Sequence, residues 1–244
     1  MSNTYDGGGR FGNQLIRGIA FSILAKKHDL FIKYKDEKRI SQLGIKLFSG
    51  SKTYENSVVV NDNNYFEHYD KHEVDYNILS SDKNSYMQTK EITDLVYEFL
   101  LRDDTRESVM NTNKFEDRYH NNNDVAIHVR LDDMIHKNPG FKYYDKVLSL
   151  LNFDRGYLCS DSPNHEICRA IITKYPNIEI LGRDEIDTIM FTSTCKYLVM
   201  SNGTFSTVIG YLSYFAEKYY PSDKNIGRWH GNCQTKEGWI EVEP

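Results

Sequence analysis

The residues best suited to chemistry crowd into one stretch, VAIHVRLDD at positions 125–133, where His128, Arg130, Asp132 and Asp133 follow one another closely. An imidazole can carry a proton or lie against a nucleobase. A guanidinium can grip two oxygens of one phosphate. A second group, Ser160 and Asp161, closes the apolar run that starts at Gly156, and a third, Ser201, Asn202, Thr204 and Ser206, closes the run from Tyr197 to Met200. Hydroxyls, amides and a single arginine suit a diphosphate, and Asp161 can accept donors from a base or ribose. Each group also has a plainer reading. Arg130 can form an ion pair with Asp132 or Asp133, Ser160-Asp161 can cap a turn ahead of Pro163, and residues 201–204 can form a turn with a helix N-cap.

All three groups follow short apolar runs, so strands must deliver them. Val125 to Arg130, Gly156 to Cys159, Ile178 to Leu181 and Tyr197 to Met200 read as strands. Helical spacing is predicted for Tyr143 to Leu151, for a helix capped by Asn164 and ended by Pro176, for Asp184 to Thr194 and for Phe205 to Ala216. Strand and helix alternate, which predicts a parallel, doubly wound sheet with ligands beyond the carboxyl ends of its strands. The first half repeats the pattern. A glycine-rich turn, Gly7 to Asn13, precedes a helix whose apolar stripe is Leu15, Ile16, Ile19, Ala20, Ile23 and Leu24, and Leu30 to Tyr34 and Val58 to Val60 read as strands. Bare amides at a helix start make an anion site, although a tight turn alone explains the glycines equally well. The turn is neither a Walker loop nor a good Gly-x-Gly-x-x-Gly match.

Between the halves, Glu91 to Met110 predicts one amphipathic helix with Thr93 as N-cap, and the polar run Asn111 to Asp124 predicts a linker. The expected fold is α/β, with two Rossmann-like domains (1–122 and 123–244) facing a cleft. His68 and His72 stand four apart beside Glu67 and Glu73, a weak metal pattern without a third ligand, in a segment that reads as exposed.

Composition narrows the functional class. The 244-residue chain carries a net charge of −5, which excludes general nucleic-acid binding and leaves an anionic ligand to a few placed cations. No apolar run approaches the ~20 residues a membrane span needs, and no signal peptide is recognisable. The expected setting is the cytoplasm, with the four cysteines as reduced core thiols.

Four motifs in order carry a resemblance: GRFGNQ at 9–14, HVRLDD at 128–133, the strand-end Ser160-Asp161, and CKYLVMSNGTFSTVIGYLS at 195–213. FKYYDKVLSLL at 141–151 adds to them. Together they resemble the fucosyltransferase superfamily, and most closely its α1,2-fucosyltransferase group, glycosyltransferase family 11. The resemblance covers most of the chain except Lys35 to Lys90 and the tail after Tyr220. It implies a GT-B fold, with an N-terminal acceptor-side domain and a C-terminal nucleotide-sugar domain. It also implies inverting, metal-independent transfer of fucose from GDP-fucose to a glycan hydroxyl, with no cofactor. No Asp-x-Asp triplet occurs, in keeping with the absence of a metal.

On that resemblance Arg130 is the catalytic residue, binding the donor diphosphate and stabilising the leaving nucleotide. His128 lies beside the nucleotide, and Asp161, with Ser160, reads the guanine. Asn202, Thr204, Phe205 and Ser206 line the phosphates, and Gly12 and Asn13 meet the diphosphate and sugar. The sequence departs from the pattern at Leu131 and Asp132, where the family has a second arginine and a glycine. One cation fewer and one anion more leave room for another deoxysugar nucleotide, such as a rhamnosyl donor, or for a binding protein without catalysis. The motifs single out no general base; His68, Glu67, Asp36 and Asp62 are its candidates. Trp229, Trp239 and the tail tyrosines either stack on a sugar or pack over the core, and packing is the expected role.

Overall fold

The computed structural model describes residues 2–3, 9–80, 85–222 and 232–244, and the chain divides into two compact units, residues 1–112 and 113–244. The expectations for Gly7, Gly8 and Trp229 lie outside the described residues. Both units are α/β and both sheets are parallel throughout, the predicted class.

Unit 1 has four strands, β1 (Ser2–Asn3), β2 (Ile32–Lys33), β3 (Ser57–Val59) and β4 (Asn77–Leu79), in the order β2-β1-β4-β3. Helix α1 (Phe11–His28) buries the predicted stripe except Ile23, which is half-buried, but it also buries Gln14 and Arg17, so it is enclosed on more than one face. Two short helices follow, α2 (Glu37–Gln42) and α3 (Tyr65–Tyr69). The long helix predicted over 91–110 is two helices, α4 (Lys90–Leu101) and α5 (Asp103–Thr112), because Arg102 takes extended backbone (ψ 140°). The N-cap is Thr89, whose hydroxyl accepts from the Ile92 amide at 3.3 Å. Thr93 stands inside the first turn, where its hydroxyl donates to Thr89 O at 2.9 Å.

Residues 113–122, read as linker from their polarity, pack in unit 2. The Asn113 amide donates to Met190 O at 2.8 Å, and Arg118 pairs with Asp124 at 2.8 Å. Their polar side chains satisfy backbone and buried charge, which polarity alone does not distinguish from solvation.

Unit 2 has six strands: β5 (Val125–Val129), β6 (Gly156–Ser160), β7 (Ile178–Ile180), β8 (Tyr197–Val199), β9 (Glu217–Pro221) and β10 (Ile240–Val242). They run in the order β10-β9-β8-β5-β6-β7. Counted from β5 as the first, this is the order of dinucleotide-binding sheets, and it reverses between β5 and β8. Helices α6 (Phe141–Leu148), α7 (Glu166–Lys174), α8 (Glu185–Thr192) and α9 (Thr204–Leu212) complete the unit. Strand β5 is buried along its whole length. Val125, Ile127 and Val129 join Tyr143, Tyr144 and Ile171 in one core cluster, while His128 meets the Phe205 ring at the start of α9.

Two expected boundaries move. His165, not Asn164, caps α7, its Nδ1 accepting from the Ile167 amide at 3.3 Å. Helix α9 stops at Leu212, and the residues beyond it form β9, whose Lys218, Tyr219 and Tyr220 are buried. The described part of the tail packs back, as expected. Tyr211 OH donates to Cys233 O at 2.8 Å, and the Trp239 ring lies 5.8 Å from that of Tyr211. All four cysteines are buried and unbridged. No described helix is long and apolar enough to cross a membrane.

Candidate functional site

In unit 2 the three predicted groups stand at the carboxyl ends of neighbouring strands, β6, β5 and β8, on either side of the reversal in strand order. This is where an open α/β sheet leaves a crevice, since the loops from adjacent strands depart to opposite faces.

Arg130 leaves β5 as its first residue beyond the strand. Its guanidinium is held by two carboxylates, Asp161 (Nη1 to Oδ2, 2.5 Å) and Asp133. The other Asp161 oxygen accepts from the Leu131 amide at 2.9 Å, so this carboxylate fixes both the backbone and the side chain of the turn. Asn138 supports the same turn by donating to Arg130 O at 2.7 Å. The ion pair foreseen between Arg130 and Asp133 is therefore present, and Asp161 adds a second. The Asp133 side chain is 60% exposed against 16% for Asp161, so the former can swing away at lower cost. Carboxylate oxygens of Asp132, Asp133 and Asp161 lie within 4.8 Å of one another, the one such acidic group among the described residues. With two of the three engaged by Arg130, it gives no ground for a resident metal.

Leu131, where the resemblance calls for a second arginine, is 1% exposed and belongs to the core cluster of unit 2. The chain has spent this position on packing.

His128 is 6% exposed, and its Nδ1 has no hydrogen-bond partner among the described residues. Burial, reinforced by the Arg130 charge, pushes its pKa down to about 3, so the ring is neutral at physiological pH. A buried, unpartnered nitrogen beside an arginine is costly to leave unused.

The turn after β8 supplies the remaining wall. Gly203 has φ +123°, ψ 156°, a conformation open to glycine almost alone, and a Cβ added there would meet Arg130 Cγ at 3.9 Å, an ordinary contact. No side chain caps α9. The remaining predicted residues brace this turn or the one after β6. Asn202 donates to Lys137 O at 2.8 Å, Ser206 Oγ accepts from the Ser201 amide at 3.0 Å, and Ser160 Oγ accepts from the Ser162 amide at 3.1 Å. Thr204 and Phe205 begin the helix, with Phe205 against His128 at 5.4 Å between ring centres.

Comparison of the sequence with family models and with curated proteins gives no match. Solved structures do match the fold. NodZ α-1,6-fucosyltransferase co-crystallised with GDP superposes at a TM-score of 0.50 and 11% identity, over 87% of this chain and 91% of that one. NodZ from Bradyrhizobium gives 0.50 at 10% identity, over 87% and 92%. The E. coli heptosyltransferase WaaC with ADP gives 0.51 at 10% identity, over 100% and 93%. The fold is that of the GT-B glycosyltransferases.

Unit 1 has a glycine turn as well. Here Gly9 (φ +79°) lies so close to Asn13 that any side chain at position 9 would collide with it. Helix α1 starts without a side-chain cap, with Gly12 buried. Asn13 Oδ1 accepts from Gln88 Nε2 at 2.9 Å, and Arg17, one turn further on and fully buried, donates to Ser85 O and lies 5.4 Å from the Tyr86 ring centre. The predicted list omits Gln88, Arg17 and Asn138. An arginine inside the apolar stripe of α1 and an Asn-Pro turn at 138–139 are the signals that could have found two of them.

The candidate bases fare unevenly. Asp62 accepts from the Tyr86 and Gln88 amides at 3.2 and 3.1 Å, which makes it a loop anchor. His68 is buried rather than exposed and hydrogen-bonds with Tyr76 OH at 2.8 Å, which disposes of the His68–His72 metal pattern. Asp36 stands at the N-cap position of α2 with Arg39 at 3.7 Å, and Glu67 is exposed on α3.

Proposed function

We propose that the protein is a glycosyltransferase acting in the cytoplasm on a nucleoside-diphosphate sugar. GDP-fucose is the donor and a glycan hydroxyl the acceptor, in an inverting, metal-independent transfer that forms an α1,2 linkage. One observation carries this reading. Arg130 stands at the carboxyl end of β5, where strand order reverses, beside the uncapped start of α9 and the unpartnered Nδ1 of His128. Departure of a nucleoside diphosphate builds negative charge, and a preorganised guanidinium with helix-end amides stabilises it. The GDP in one NodZ structure of the same fold supports a guanine nucleotide here. The resemblance gives Gly12 and Asn13 the diphosphate and sugar, and Ser160, Asn202 and Ser206 hold the turns after β6 and β8 in shape. Asp161 has both oxygens engaged, so reading a guanine would require it to share them.

A thermal-shift screen of GDP, GDP-fucose, GDP-rhamnose and uracil and thymine diphosphosugars, with and without EDTA, tests the proposal. Guanine nucleotides should raise the melting temperature by several degrees irrespective of EDTA. Silence from every nucleotide would sink the donor site. Arg130→Ala should lose transfer, by 10²-fold or more on the order of an oxyanion-type contact, with the far-UV spectrum intact. A second reading rests on the two carboxylates holding Arg130: a nucleotide-sugar-binding protein without turnover. It expects the same thermal shift, but neither transfer nor donor hydrolysis over long incubation.

A further inference from the structure

The far end of unit 1 holds a cavity of about 580 Å³, within the size range of small-ligand sites. It lies beside the last turns of α1. The Gly9–Asn13 turn begins the same helix, and eighteen residues of α1 separate the two ends, roughly 27 Å at 1.5 Å per residue. Four cations line the cavity: Lys26 and Lys27 from α1, Lys46 from the following loop and Arg102 from the α4–α5 junction. Asp104 is the acid on the wall, and none of the four is paired with a carboxylate among the described residues. Two of them are laid on aromatic faces instead. Lys27 Nζ lies 4.4 Å from the Tyr69 ring centre, and Arg102 Cζ lies 4.4 Å from that of Phe99. A cation held on a ring keeps its N–H groups available to a ligand's oxygens. Phe48, 37% exposed, adds an apolar face.

The wall is fixed by specific bonds. The Phe48 amide donates to Ser22 Oγ on α1 at 2.7 Å, Tyr34 OH donates to Phe48 O, and Ser108 Oγ on α5 donates to Gly44 O at 2.7 Å. Complementing the helix dipole explains basic residues in the last turn of α1. It explains neither Lys46, which comes from a loop, nor the aromatic faces, nor the concave volume. On a chain of net charge −5, four exposed cations without carboxylate partners gathered around a ring-lined cavity favour an anionic occupant.

We infer that this cavity is a second ligand site, separate from the Arg130 crevice, for a phosphorylated sugar. The phosphates meet Lys26, Lys27, Lys46 and Arg102, and the C–H face of the sugar lies on Phe48 or Tyr69. The same phosphosugar chemistry is found free or as a lipid headgroup.

Calorimetric titration of the full chain tests this with fructose 1,6-bisphosphate as the free probe, fructose as the neutral control, and vesicles containing phosphatidylinositol 4,5-bisphosphate as the lipid probe. At least one phosphate-bearing probe should bind saturably, and fructose should not. Lys27→Ala with Arg102→Ala should weaken binding at least tenfold, as should the single change Lys46→Glu, all three being exposed residues. Arg130→Ala should leave it unchanged. Binding confined to the free probe identifies a soluble phosphosugar, and binding confined to vesicles identifies a headgroup. Absence of binding by both, equal binding of fructose, or affinity that survives the lysine and arginine changes would overturn the site. Loss in Arg130→Ala would place the phosphate in the donor crevice and also overturn it, whatever that result says about transfer.

Discussion

Arg130 is held by its own neighbours, and on the proposed function an incoming diphosphate must compete with them. The two carboxylates are not equivalent. Asp133 is mostly solvated and holds the guanidinium, whereas the Asp161 side chain is largely buried and also anchors the Leu131 amide. Asp133→Asn should therefore tighten GDP binding several-fold, about 1 kcal/mol for an exposed competing ion pair, while Asp161→Asn should weaken it by loosening the turn. Titration calorimetry separates the two; equal effects would refute the asymmetry. His128 makes a pH prediction. Its pKa in the folded chain, about 3, lies below the ordinary value of 6.5, so the unfolded chain binds the extra proton between those limits. Stability is then fully present above about pH 6.5 and falls as the pH drops toward 3, by at most about 1.4 kcal/mol per pH unit from this group. His28 and His68, also lowered by burial, act in the same direction. His128→Asn should flatten the fall in melting temperature between pH 7 and 5 without abolishing it. An unchanged slope would contradict the burial argument.

At the scale of elements, the turn joining β8 to α9 does most to shape the crevice. Gly203→Ala forces a side chain into φ +123° and should cost about 1–3 kcal/mol. The melting temperature should drop, and GDP affinity should fall with it, because the start of α9 is displaced. Retained affinity in a folded variant would show that α9 does not contribute. The strands ending in Arg130, Asp161 and Ser201 were legible from sequence because each is a short apolar run closed by polar residues. What the sequence concealed has physical causes. A helix break at Arg102 involves no proline or glycine, only a ψ angle. The polarity of residues 113–122 looks like solvation but is internal hydrogen bonding. Strand β9 was hidden because its Lys218 and tyrosines are buried, contrary to the alternation expected of a half-exposed strand. The second partner of Arg130 comes from another strand, so no local pattern could announce it.

For the whole molecule, two parallel sheets with separate cores argue against a single cooperative unfolding event. Differential scanning calorimetry should resolve two transitions, or a calorimetric enthalpy exceeding the van't Hoff value, and GDP should raise the one belonging to residues 113–244. One two-state transition would show that the units unfold together. The strand order of the second sheet also has a temporal meaning. Strand β5 emerges from the ribosome early, yet its partner β8 lies roughly 70 residues downstream, about 4–15 s later at translation rates of 5–20 residues per second. Until then Arg130 can meet Asp161, because β6 is already out, but not the turn that completes the crevice.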